Sequence, residues 1–148
     1  MSKELNEEAI EKLLNEQLVG RIGCNADGIT YVVPVTYAYD GEYIYVHSEK
    51  GMKTEIMQKN PEVCFQVDDI RNLAAWWSVI AWGRFEEIHK EERKRAMSLL
   101  VSRIMALLNG NNSFPGYGAI EHANAATRQE AIWYRIKISK KSGRCEVN

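Results

Sequence analysis

Residues 31–68, YVVPVTYAYDGEYIYVHSEKGMKTEIMQKNPEVCFQVD, constrain the fold more than any other stretch of the chain. Over residues 31–39, Tyr31, Val33, Val35, Tyr37 and Tyr39 share one face, and Val32, Pro34, Thr36 and Ala38 the other. A period of two in β-branched and aromatic residues marks a strand. Asp40-Gly41 supplies the positive φ of a two-residue hairpin turn, and residues 42–47 return as its partner. The period then changes: Met52, Ile56 and Met57 give a short helix its apolar side, and Asn60-Pro61 stops it. Residues 63–67 resume the sheet.

A strand that runs into a helix start makes a corner suited to anions. The first helical turn carries unpaired N–H groups and the positive end of the macrodipole. Here it is joined by the imidazole of His47, the hydroxyl of Ser48, Lys50, Lys53, and Gly51, which permits close backbone approach. Phosphate suits such a corner. On spacing alone, an exposed helix start with solvated lysines fits better.

The rest of the chain reads as one domain, 1–148, around this unit. Residues 4–17 place Leu5, Ala9, Ile10, Leu13 and Leu14 on one helical face. Residues 18–25 form a first strand, joined to residues 31–39 through Asp27-Gly28. Two successive hairpins favour an antiparallel sheet that closes on itself. Residues 68–75 read as a polar connection, and a long strand follows over 76–88. Both of its faces are largely apolar: Trp76, Ser78, Ile80, Trp82 and Arg84 on one, Trp77, Val79, Ala81, Gly83 and Phe85 on the other. Such a strand fits a wall covered by a helix, a ligand or a second subunit, and equally a helix on one side with core on the other. Residues 90–109 form the longest helix, with a stripe of Met97, Leu100, Val101, Ile104, Leu107 and Leu108. Residues 111–127 hold an aromatic loop, Phe114 to Gly118, and residues 130–139 alternate as the last strand before a turn at Ser142-Gly143.

Several function classes drop out. With 19 basic and 20 acidic residues there is no electrostatic case for nucleic acid or an anionic membrane. No apolar run approaches a membrane span, and the charged amphipathic start lacks a signal peptide's core. The odd count of three distant cysteines, Cys24, Cys64 and Cys145, argues for reduced thiols in a cytoplasm. His47, His89 and His122 have no metal-triad spacing, and no nucleophile elbow or nucleotide-binding glycine loop is present. Reactivity would therefore come from a cofactor.

The Pro-Val-Thr-Tyr strand at 34–37, the His47-Ser48 corner with Lys53 ahead of Asn60-Pro61, and the Ser-Val-Ile-Ala-Trp-Gly-Arg strand at 78–84 occur in this order. Together they resemble the pyridoxamine 5′-phosphate oxidase-like, FMN-binding split-barrel superfamily, and within it the Nim-type, nitroimidazole-resistance-like branch. The resemblance covers residues 18–88 and more loosely 131–143. It implies a mostly β fold, a six-stranded antiparallel split β-barrel with flanking helices. It also implies a homodimer with FMN in clefts between subunits, and a small-molecule substrate.

Carried over residue by residue, the backbone of Val33, Pro34, Val35 and Thr36 would lie along the isoalloxazine edge. Val46, His47 and Ser48 would line the ribityl chain and phosphate, with Lys53 neutralising the phosphate. Met52 stands where the oxidases carry a second basic residue, and Ser78 at a polar flavin contact. His47 could donate a proton near the flavin or only position it. The chain also ends soon after its last strand, without the segment in which true pyridoxamine-phosphate oxidases keep substrate-binding residues, so vitamin B6 oxidation is not expected. The function implied is an FMN-dependent oxidoreductase passing electrons from a nicotinamide donor to a small electrophile such as a nitroaromatic. The alternatives are a non-catalytic flavin- or haem-binding protein, with His47 or His122 as axial ligand, and a ligand-free structural barrel.

Overall fold

The computed structural model describes residues 1–110 and 131–148, the last four of the first span by backbone alone. The aromatic loop expected at 111–127, with His122, lies outside the described residues. The elements in chain order are β1 (Lys3–Glu4), α1 (Glu7–Glu16), β2 (Val19–Ala26), β3 (Ile29–Thr36), β4 (Ala38–Tyr39), β5 (Tyr43–Ser48), α2 (Met52–Lys59), β6 (Glu62–Asn72), β7 (Ala75–Glu87), α3 (Lys90–Gly110) and β8 (Ile132–Val147). One antiparallel sheet runs β3-β2-β6-β7-β8-β5-β4, with β1 added to β8. The six longer strands are the six expected, and the sheet curls into a split barrel. It does not close on itself as two successive hairpins suggested, because β3 and β4 stand at opposite ends of the ladder.

The split arises at Tyr37. Residues 31–39 read as one strand, yet β3 stays with β2, and only Ala38 and Tyr39 pair with β5. Between them Tyr37 is pulled into the interior. Its hydroxyl donates to the Leu14 carbonyl at 2.7 Å, its N–H to the Leu18 carbonyl at 3.0 Å, and its ring meets Phe65 edge-on at 4.7 Å. Alternation of side chains continues through the crossover, so the pattern could not report a change of partner. The turns behave as read. Asp27 and Gly28 both take positive φ, 53° and 77°, and Asp40 Oδ1 accepts from the N–H groups of Glu42 and Tyr43.

Two connections expected in the sequence are strand instead. Residues 68–75 continue the β6–β7 ladder as far as the Asn72–Ala75 pair. Asp68 and Asp69 are only partly buried and Arg71 and Asn72 exposed, so these polar residues sit in a strand without being enclosed. Likewise Ser142 and Gly143 stay in β8 opposite Ile80 and Val79. Gly143 is there for space: a Cβ would meet Leu5 and Ile10 at 2.9–3.1 Å, where the α1 end of the chain packs on the strand.

Burial divides into two clusters. Inside the barrel lie Ile22, Val35, Val46, Phe65, Val67, Val79, Tyr134 and Ile136, with Ile10, Leu13 and Leu14 of α1 packed on them. Outside it, α3 covers β5 and β8, burying Tyr45 and Trp133 against Ala96, Leu100 and Ile104. No described element covers the outer face of β3, β2, β6 and β7. Val32 there is 67% exposed and Trp82 38%.

Candidate functional site

The corner between β5 and α2 gathers several of the expected residues. Ile44, Val46 and Ser48 alternate toward the interior, and Val46 pairs across with Tyr134 of β8. The Ser48 hydroxyl is buried, as is that of Tyr134, and neither has a hydrogen-bond partner among the described residues. Burial pushes the Tyr134 phenol above its ordinary pKa; the nearby Ser48 hydroxyl pulls it back, although the pair falls short of hydrogen-bond geometry. Buried polar atoms left in this state cost free energy until something satisfies them.

Lys53 stands in the first turn of α2, beside Cys24 of β2. Burial holds its amine below the ordinary lysine value, and the Cys24 thiol acts in the opposite direction. Burial, and then Cys64, raise the Cys24 thiol, which Lys53 lowers. Among the described residues no carboxylate pairs with Lys53, whereas Lys59 at the other end of α2 bonds Asp27 at 2.9 Å. The helix start itself is closed by Thr54, whose hydroxyl accepts from the Gly51 N–H at 3.0 Å and donates to the Gly51 carbonyl at 2.9 Å. A half-buried charge without a counter-ion among the described residues, at the start of the helix that follows an orphaned hydroxyl, is an arrangement that an anion would complete.

β3, at the far end of the ladder from β5, approaches it across the split, and Cys24 Sγ donates to the Tyr31 carbonyl at 3.7 Å. Among the described residues β3 pairs only with β2, so alternate backbone groups along Val33 to Thr36 face no strand. Pro34 and Thr36 lie on the outer face with Ser78, while Val33 and Val35 turn inward. Ser78 belongs to a polar network there. Gln66 Nε2 donates to Ser78 Oγ at 3.1 Å and to Asp68 Oδ2 at 2.9 Å, and Arg21 pairs with the same carboxylate oxygen at 3.2 Å.

Not all expected residues come together. Alternation sends His47 to the side opposite Val46 and Ser48, where its ring packs on Trp133 at 5.1 Å beneath α3. Met52, at the start of α2, is 54% exposed. Gln66, Asp68, Arg21, Cys24 and Tyr134 were not foreseen. The period of two in Cys64 to Asp68 would have put Gln66 and Asp68 on one face with Ser78, had the strand been carried past Val67. On the same outer face a groove of about 840 Å³ opens over Val32, Cys64, Trp82, Arg84 and Lys137. It contains none of the expected flavin contacts.

The profile of the pyridoxamine 5′-phosphate oxidase family matches residues 6–145, nearly the whole chain, and the chain belongs to that family. It is 36% identical over 87 residues to the uncharacterized protein RA0666 of Rhizobium meliloti (strain 1021), an alignment spanning 55% of this chain and 58% of that protein. The match thus reaches little more than half of the relative's length. Among solved structures, a FAD-binding protein from Mesorhizobium loti superposes with a TM-score of 0.74 at 29% identity, covering 98% of both chains. A proposed 5-nitroimidazole antibiotic resistance protein from Bacteroides thetaiotaomicron superposes with a TM-score of 0.73, covering 98% of this chain and 87% of its own, at 18% identity. The latter likeness is one of fold. Among the described residues no helix is long and apolar enough to cross a membrane.

Proposed function

We propose that this chain is a flavin-binding oxidoreductase that holds FMN by its phosphate at the β5–α2 corner. The observation that carries the reading is a half-buried Lys53 with no carboxylate partner among the described residues, in the first turn of the helix that follows Ser48, whose buried hydroxyl has no partner among them either. When bound, the flavin would supply two-electron redox chemistry between a nicotinamide donor and a small electrophile such as a nitroaromatic. Lys53 and Ser48 bind the phosphate, and Val46 packs under the ribityl chain. The open edge of Val33, Pro34, Val35 and Thr36 offers backbone groups to the ring, and Pro34 leaves one position without a donor. Ser78 supplies a polar contact from the outer face. His47, held on Trp133, positions the end of β5, and proton transfer from it would need a path around the strand.

The bare outer face supports the second half of the proposal. Val32 of β3 and Trp76, Ile80 and Trp82 of β7 present apolar surface on the outer face of the sheet, which the described part of α3 does not reach. A second copy of the chain would cover it, in a homodimer with the flavin between subunits.

Calorimetric titration of the purified chain with FMN and with FAD tests the cofactor. The M. loti relative is named for FAD, so both flavins belong in the experiment. A single cationic corner, with no glycine loop for a pyrophosphate, predicts tighter binding of FMN. Equal or tighter binding of FAD contradicts the FMN assignment while leaving flavin binding in place.

A further inference from the structure

The network under Ser78 has a fixed polarity. Asp68, ionised, can only accept, and it accepts from both Arg21 at 3.2 Å and Gln66 Nε2 at 2.9 Å. That contact fixes which end of the Gln66 carboxamide is nitrogen. The second proton on Nε2 then goes to Ser78 Oγ at 3.1 Å. Two consequences follow from the donor count. Ser78, having accepted, keeps its own O–H to donate elsewhere. Gln66 Oε1 accepts from no donor among the described residues. The outer face therefore presents a donor and an acceptor side by side, on adjacent strands, their orientation set by a carboxylate and a guanidinium behind them. Both residues are only partly buried, so the pair faces outward and not into the core.

We infer that Gln66 and Ser78 together read the imide edge of a bound flavin's pyrimidine ring, Gln66 accepting from N3–H and Ser78 donating to a flanking carbonyl. Asp68 and Arg21 are positioning residues that keep this polarity from reversing. The inference rests on the flavin reading above. It adds a recognition element formed of four residues on β2, β6 and β7, of which the sequence pointed only to Ser78. A flavin methylated at N3 has lost the proton that Gln66 would take and carries a methyl group in its place. The same edge would accept any imide or lactam of like pattern, so it selects by hydrogen bonding and not by the benzenoid end of the ring.

The test is titration of the purified full-length chain with FMN and with N3-methyl FMN, for the wild type and for Gln66→Met, Ser78→Ala, Asp68→Asn and Lys53→Ala. The wild type should bind FMN at least about tenfold tighter than the methylated analogue, the worth of one good hydrogen bond. Gln66→Met and Ser78→Ala should bring that ratio toward one. Asp68→Asn should do so too while leaving both reading side chains in place, an effect that a purely structural role would not produce. Lys53→Ala should weaken both flavins and leave the ratio intact. A wild-type ratio near one, or a ratio that survives Gln66→Met and Ser78→Ala, overturns the imide-edge assignment alone. A chain that binds neither flavin overturns it together with the cofactor reading. Near-ultraviolet circular dichroism on each variant checks that the fold is retained.

Discussion

The sheet has two outer faces, and they have been treated differently. Behind β5 and β8, α3 buries Tyr45 and Trp133 to 1% exposure against Ala96, Leu100 and Ile104. Behind β3, β2, β6 and β7 there is no such helix among the described residues, and Val32, Trp82 and a four-residue polar network stand open there. The covered face is mostly apolar where α3 packs and serves stability. The bare one mixes apolar residues with oriented polar groups, the composition of a surface meant to meet something specific. One covering is built into the chain, and on the proposed function the other would come from a second copy and a cofactor.

This contrast can be broken by mutation. Leu100→Ala removes a fully buried side chain beneath α3 and should destabilise the chain by about 2–5 kcal/mol, read as a fall in denaturation midpoint. Ile80→Ala on the bare face should barely move the midpoint of dilute, dissociated protein while weakening association. Equal losses of stability would mean that the two faces are not different in kind.

Next in size is the corner. Lys53→Ala should weaken FMN binding about tenfold to a hundredfold, corresponding to a charge-assisted contact of about 1.5–3 kcal/mol. Lys59→Ala, which removes only an exposed pair with Asp27, should change the dissociation constant little. Indistinguishable constants would take Lys53 out of the site.

Smallest is a pH effect on the covered side and its neighbouring turn. Burial, together with the bond to Asp40, pushes the Tyr45 phenol up to about 12, and burial with the Glu11 bond does the same for Tyr39. A folded-state value above the unfolded one near 10 means stability is intact below pH 10 and is lost as pH rises toward 12. Urea midpoints should fall across that window, and Tyr45→Phe should make the fall shallower. A flat profile would contradict the burial argument.

Much of the fold was legible because its signals are local. Asp27-Gly28 and Asp40-Gly41 fix hairpins through φ, and the strand periods of 18–25 and 76–88 survive in β2 and β7. What was not legible depends on partners distant in sequence. The crossover at Tyr37 is made by Leu14, Leu18 and Phe65, and alternation runs through it unchanged. Gly143 read as a turn because a glycine that clears space for Leu5 and Ile10 looks the same as one that needs positive φ. For the candidate site, Ser48 and Lys53 were visible as a strand-to-helix corner. His47, one position away, was placed with them although a strand must send neighbours to opposite faces. Asp68 was hidden because acidic residues ending a strand look like the start of a loop, and without it Gln66, inside the expected strand, had no visible partner.

The central claim is that the bare face is completed by a second copy with the flavin held between. A ligand that touches both subunits binds the dimer better than the monomer and must shift assembly toward it by mass action. At a hundredfold excess over its dissociation constant the gain is about 2.7 kcal/mol per site. Sedimentation velocity of flavin-stripped protein, run with and without FMN across a dilution series, measures this directly. The account predicts a dimer whose dissociation moves to lower protein concentration when FMN is added. A chain that binds FMN tightly and sediments as a monomer at every concentration would contradict it.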